Sequence, residues 1–153
     1  MIKFGKLISA DTDNFVRYGK YGSEFVVFKG LFMGYDDSDE LYNQEIKFQE
    51  LLAKDGLAPK LLKKNVKADK NNRRFMMWIC EDAGLPIEED DVPEANKLLD
   101  ILYDRGIILN WYIDQRMFVK GFDSKIRVTD FKQTETYDEP IGKHNRKYIQ
   151  WKA

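Results

Sequence analysis

Short apolar segments separated by polar turns make up the N-terminal part of the chain. Residues 2–8 and 15–19 have the character of two short strands on either side of a polar turn. The segment Glu24–Lys29 is richer in β-branched and aromatic residues, and Gly30 closes it. Because such residues favour a pleated, half-buried surface, this segment predicts a third strand more strongly.

The pattern changes to helical spacing after an acidic loop. Asp37 or Ser38 can cap a helix that runs to about Asp55, where Gly56 stops it. The apolar stripe expected on this helix consists of Leu41, Ile46, Phe48, Leu51 and Leu52.

Two more strands and a second helix are predicted next. Leu61–Lys67 and Arg74–Cys80 are of strand length, and residues 68–73 form a charged hairpin tip between them. Glu81–Gly84 interrupts the apolar pattern. A helix from about Glu94 to Arg105 follows, with Ala95, Leu98, Leu99, Ile101 and Leu102 as its apolar positions.

The last third of the chain contains short apolar runs. Ile107–Leu109 follows Gly106, Met117–Val119 follows a loop, and a short strand then ends in Asp130-Phe131. The predicted order is three strands, a helix, two strands, a break, a helix and short strands, which indicates an α+β protein. The break divides it into residues 1–80 and 81–153, which we expect to form one compact unit.

Composition narrows the class of protein. The chain has 25 Lys and Arg against 26 Asp and Glu, so no net charge favours nucleic acid or an acidic membrane. Its single cysteine, Cys80, excludes an internal disulfide. No run is apolar enough for a spanning helix or a signal peptide, so we expect a cytoplasmic protein without a membrane segment.

Four segments together resemble the protein-kinase-like fold. Lys29 ends the third strand, and Glu45 follows on the first helix. The sequence FMMWICEDAGL at Phe75–Leu85 resembles a kinase hinge. Residues 106–118 align with the pattern G-I-V-H-R-D-I-K-P-E-N-F-L, and residues 126–132 stand where kinases have I-x-x-x-D-F-G.

The resemblance implies a particular architecture and cofactor. A five-stranded N-terminal lobe with one helix would be joined by a hinge to a reduced C-terminal lobe, as in the shortened kinase-like proteins of some viruses and bacterial effectors; in that case the location would be the host cytoplasm. The cofactor would be ATP with Mg²⁺. The residues implied in its binding are Lys29, Glu45, Glu81, Asp82, Ala83 and Asp130, with Asp130 as the metal ligand.

Several positions depart from the kinase pattern. Trp111 stands in place of the catalytic aspartate, and Arg116 in place of the asparagine that binds the second metal ion. Lys132 replaces the glycine of the last motif, and no glycine occurs in Leu7–Asn14, where a phosphate-binding loop is expected. Asp114 is the one nearby carboxylate that could serve as a substitute base.

Three hypotheses follow. The first is a pseudokinase that acts by binding or regulating a partner protein, with nucleotide binding left open. The second is a divergent ATP-dependent phosphotransferase or nucleotidyl-transferase that uses Asp130 and a base such as Asp114. The third is a small α+β interaction protein unrelated to kinases.

The tail from Lys143 to Lys152 mixes basic and aromatic residues, and we interpret it as a packing or partner-binding segment rather than a nucleic-acid site. The oligomeric state is not predicted.

Overall fold

A computed structural model describes residues 2–153 as an α+β protein with two helices and ten strands. The helices are α1 (Ser38–Ala53) and α2 (Val92–Asp104). The strands are β1 (Ile2–Ala10), β2 (Asn14–Tyr21), β3 (Glu24–Phe32), β4 (Leu61–Lys70), β5 (Arg73–Glu81), β6 (Leu85–Pro86), β7 (Ile107–Ile108), β8 (Phe118–Lys120), β9 (Ile126–Val128) and β10 (Glu135–Thr136).

The first five strands form one antiparallel sheet in the order β1-β2-β3-β5-β4. This confirms the predicted five-stranded sheet. Strand β3 does not end at Gly30 as predicted but continues two residues further to Phe32, because its pairing with β5 extends to Phe32 and Phe75. The β4–β5 hairpin tip is also tighter than residues 68–73. It consists of Asn71 and Asn72, whose φ angles of 52° and 63° suit a two-residue turn.

Helix α1 packs one face against the sheet. Its buried residues recur at helical spacing and include three polar side chains, those of Ser38, Glu45 and Gln49; the full set is Ser38, Tyr42, Glu45, Ile46, Phe48, Gln49 and Leu52. Leu51 was expected on this face, but it is 45% exposed. Ile101 on α2 is exposed as well. Both apolar residues lie on the outer side of their helices, where a single apolar side chain is tolerated.

The largest apolar cluster draws residues from both sides of the boundary predicted at residue 80. Phe48, Leu52 and Ala58 pack with the inner face of α2 and with Phe131. The backbone also connects the two parts, since Val128 N–H donates to the Leu57 carbonyl at 2.8 Å. The end of α1 therefore shares a core with the C-terminal half.

The five remaining strands are short and form two smaller sheets. Strands β6, β8 and β9 form a second antiparallel sheet, and β7 pairs with β10. Gly84 precedes β6 with φ of 129°, and a Cβ there would lie 1.9 Å from the Lys120 carbonyl oxygen. Glycine is required at this point because the two backbones touch.

Within residues 2–153, neither helix has both the length and the apolar character needed to cross a bilayer.

Candidate functional site

Lys29, Glu45 and Asp130 come together where the sheet, α1 and the segment after β9 meet. Lys29 lies in the middle of β3, opposite Val16 on one side and Trp78 on the other. Its ammonium donates a hydrogen bond to the carbonyl of Thr129, the residue before Asp130. We call Lys29, Glu45, Thr129, Asp130 and Phe131 the charged cluster.

Glu45 is the most deeply buried charged group of this cluster, with 4% of its surface exposed. Burial raises the pKa of its carboxyl from 4.5 to about 7, and the nearby Lys29 charge partly opposes that rise. Lys29 and Glu45 form no ion pair in the part of the chain that the structure describes, since the Lys29 ammonium is directed to the Thr129 carbonyl. Glu45 Oε2 accepts no hydrogen bond within residues 2–153.

Asp130 adds a second carboxylate to the cluster. The negative charge of Asp130 contributes to the raised pKa of Glu45. The Phe131 backbone N–H, in contrast, favours the ionised form of the Glu45 carboxyl. Asp130 Oδ1 accepts the backbone N–H of Lys132 at 3.1 Å. Burial opposes the lowering of the Asp11 pKa, which comes from hydrogen bonds with Asp13 and Asn14, and the Lys132 charge adds to it. The same charge partly opposes the burial that raises the pKa of Glu45.

The turn between β1 and β2 is closed by its own carboxylate. Asp11 Oδ1 accepts the backbone N–H groups of Asp13 and Asn14, each at 2.8 Å. Backbone N–H groups in such a turn are the donors that a phosphate would need. Since Asp11 already uses them, this turn does not present them to a ligand.

Of the predicted hinge residues, Glu81 is the last residue of β5, and Asp82 and Ala83 follow the strand. Glu81 is engaged by Lys60, whose backbone N–H donates to its Oε1 at 2.8 Å and whose carbonyl accepts its N–H at 2.9 Å. Asp82 Oδ1 accepts the N–H of Gly84 at 3.3 Å. Within residues 2–153, no hydrogen bond uses the backbone N–H groups of Asp82 and Ala83. Both residues are half-buried.

Asp114 lies outside the charged cluster, and both of its carboxylate oxygens accept hydrogen bonds from Arg116. Its Oδ1 accepts the Arg116 backbone N–H at 2.8 Å and Nε at 3.1 Å, and its Oδ2 accepts Nη2 at 2.9 Å. These contacts cap the single helical turn Gln115–Met117 and lower the pKa of the Asp114 carboxyl. A base needs a free carboxylate with a pKa near the working pH, so this geometry does not suit that role.

Trp111 is 54% exposed, and its indole N–H donates to Glu135 Oε2 at 3.3 Å. It brings no acid or base to the position where the resemblance expects one.

The structure brings Lys29, Glu45 and Asp130 together, while Asp82 and Ala83 lie in the segment after β5. The β1–β2 turn does not fit the phosphate-binding loop that the resemblance implies, because Asp11 closes this turn itself. Within residues 2–153, no three His, Cys, Asp or Glu side chains form a group that could hold a metal ion.

Gln49 also belongs to this region, although no sequence motif singled it out. Gln49 is fully buried one turn after Glu45 on α1, and its Nε2 donates to the Pro59 carbonyl at 2.9 Å. Its Oε1 accepts the indole N–H of Trp78 at 3.2 Å. The signal was present, because Glu45 and Gln49 are polar positions that interrupt an apolar stripe.

No protein-family model matches this chain, and no curated protein is similar enough to match it.

Proposed function

We propose that this chain is a catalytically impaired kinase-like protein that acts by binding a partner protein. One observation carries the proposal. The charged cluster gathers Lys29, Glu45 and Asp130 from three distant parts of the chain, while the only substitute base, Asp114, is held by Arg116.

The order of elements supports the kinase-like part of the proposal. The sheet order β1-β2-β3-β5-β4, with α1 inserted after β3, is compatible with the N-terminal lobe that the sequence motifs imply. Residues 82–84 follow the last strand of this sheet and lead through β6 towards α2, as a hinge would. A fold by itself does not establish a function, so the residues of the site decide what the protein can do.

The chemistry of the site supports impairment. Phosphoryl transfer depends on positioned groups that orient the acceptor and neutralise charge. Here Lys29 is hydrogen-bonded to a backbone carbonyl, Asp11 closes the β1–β2 turn, and Lys132 places a cation near both Asp11 and Glu45. These contacts are made within the chain and leave little to stabilise a transferred phosphoryl group.

A labelling assay tests the proposal. The protein is incubated with γ-labelled ATP and Mg²⁺, alone and with generic protein acceptors, beside Lys29→Ala and Asp130→Ala. We expect no transfer by any of the three proteins. Metal-dependent labelling by the wild type that both substitutions abolish would overturn the proposal and favour the divergent transferase.

Thermal unfolding with ATP measures binding separately from transfer. A ligand that binds only the native state raises Tm by mass action. We expect a small rise with ATP that Mg²⁺ does not increase and that Lys29→Ala reduces. Lys70→Ala, at an exposed position on β4, is the matched control and should respond to ATP like the wild type.

A further inference from the structure

A cavity of about 710 Å³ lies between the loop of residues 111–116 and the tail of residues 146–152, away from the charged cluster. We call it the tail groove. Neither the charged cluster nor the hinge contributes to its lining.

The tail forms a fixed wall of this groove. The Tyr103 hydroxyl donates to the Lys147 carbonyl and accepts the Lys147 N–H at 3.1 Å. Asn96 Oδ1 accepts the N–H of Ile149 at 3.0 Å, and the Gln115 amide bonds both backbone groups of Lys152 at 2.9 Å. These contacts hold the main chain of the tail, and the Tyr148 hydroxyl adds a hydrogen bond to Asp100 Oδ1 at 2.6 Å, so the tail is fixed in place while the Lys147 side chain stays exposed.

Exposed aromatic rings line the tail groove. Trp111 is 54% exposed, Tyr112 58% and Tyr148 37%. Large rings left partly exposed around one concave surface supply contact area at a low cost in conformational entropy, which is why Trp, Tyr and Arg are enriched at the centres of protein interfaces.

The charges of the tail groove are predominantly positive. Its lining contains Arg116, Arg146, Lys147 and Lys152, and Asp114 is its only carboxylate. The Arg146 charge is balanced from outside the groove by Asp100 and Asp104. The Arg116 side chain remains 87% exposed although it pairs with Asp114. Lys152 directs its ammonium to Tyr112.

We propose that the tail groove binds an acidic segment of a partner protein. The Lys147, Lys152 and Arg116 side chains would pair with its carboxylates, and Trp111, Tyr112 and Tyr148 would cover its apolar atoms. This inference rests on the proposed partner-binding function and names its surface and the chemistry of the partner. A peptide suits the groove better than a nucleic acid, because the chain as a whole has a formal net charge of −1 and no long basic track for a polyanion.

A random-peptide display library selected on the intact protein tests this inference. We expect the enriched peptides to be rich in Asp and Glu. Synthetic copies of them, labelled with a fluorophore, are then titrated by anisotropy against three variants. The double substitution Lys147→Glu with Lys152→Glu should weaken binding by about tenfold or more, and Trp111→Ala should weaken it by a similar factor.

The matched control is Lys67→Glu with Lys70→Glu, which changes the net charge equally at exposed positions of β4. Binding unchanged in this control supports the tail groove. Equal loss in both double variants would show non-specific attraction and would overturn the groove while leaving partner binding intact. Enriched peptides without excess acidic residues would overturn the acidic partner.

A labelled oligothymidylate is titrated in parallel. Tighter binding of this probe than of the selected peptides, lost in the tail variant, would overturn the peptide and assign the groove to single-stranded nucleic acid. Since none of these measurements involves ATP, their failure is distinguishable from a failure of the labelling assay.

Discussion

The charged cluster and the tail groove use charged residues in opposite ways. In the cluster, Glu45 is buried and Lys29 is hydrogen-bonded to the Thr129 carbonyl. In the groove, Arg116 and Lys147 lie at the surface beside exposed aromatic rings. A buried ionisable group must find partners within the chain or become neutral, as the raised pKa of Glu45 indicates, whereas an exposed charge can change partners at little cost.

The difference suggests where the molecule interacts with others. Charges used to join the sheet, α1 and the segment after β9 contribute to internal structure and are less available to a ligand. Charges around an open, aromatic-lined cavity remain available. This difference agrees with the proposal that a partner binds at the tail groove, and it favours a structural role for the charged cluster at the junction of the two halves.

The largest effect that would test this contrast comes from removing the apolar anchor of the charged cluster. Phe131 has no exposed surface and packs in the largest core. Phe131→Ala should lower the free energy of unfolding by about 3–5 kcal/mol, because it leaves a cavity. Urea denaturation measures this, with Phe122→Ala, at a position 89% exposed, as the control. A loss no larger than that of the control would contradict a structural role for the cluster.

The next effect concerns the pH dependence that Glu45 imposes. Its pKa is about 7 in the folded protein against 4.5 as the ordinary value, so the folded state binds the proton more tightly. Stability from this group is therefore present below pH 4.5 and lost as pH rises through about 7. Glu45→Gln should remove this loss, a difference on the order of 3 kcal/mol above pH 7.

Chemical denaturation at a series of pH values measures the Glu45 effect. Glu40→Gln, on the exposed side of the same helix, should keep the wild-type pH dependence. If wild type and Glu45→Gln gave parallel curves, the carboxyl of Glu45 would not be perturbed by burial.

A smaller effect is expected where the core holds the tail. Tyr103→Phe removes the hydroxyl that bonds both backbone groups of Lys147, so we expect a loss of about 1–2 kcal/mol. Amide hydrogen exchange in residues 146–152 should accelerate more than elsewhere. Tyr35→Phe, whose ring is 52% exposed, serves as the comparison and should change little. Unchanged exchange in the tail would mean that other contacts are sufficient to hold it.

The smallest effect on stability should come from the tail groove itself. Trp111→Ala removes a ring that is largely exposed, and the free energy of unfolding should change by no more than about 0.5 kcal/mol. Thermal unfolding checks this on the same samples used for peptide titration. A large destabilisation would show that Trp111 supports the fold, and the loss of peptide binding by this variant could then not be assigned to the groove.

Much of the fold was predictable because its signals are local. The β-branched run ending at Lys29 and the apolar spacing on α1 lie within single elements, and the structure confirms the elements that they predicted. The ends were less accurate, since pairing with β5 extended β3 and α1 ended at Ala53 rather than near Asp55.

The candidate site was predictable only in part. Lys29, Glu45 and Asp130 were selected by motif, and they lie together in the structure. The bond from Lys29 to Thr129 was not predictable, since the two residues are 100 positions apart. The pairing of Asp114 with Arg116 could have been anticipated from their spacing of two residues. The ATP cofactor, the partner and the kinase-like family stay predictions.

The sequence by itself determined the kind and order of the elements, because hydrophobic periodicity acts over a few residues and selects strand or helix locally. Tertiary structure alone decided which charges meet and which remain exposed. Glu40, Glu45 and Glu50 belong to one helix, yet only Glu45 is buried against the sheet. Burial raises the pKa of Glu45, and that burial depends on contacts between distant parts of the chain.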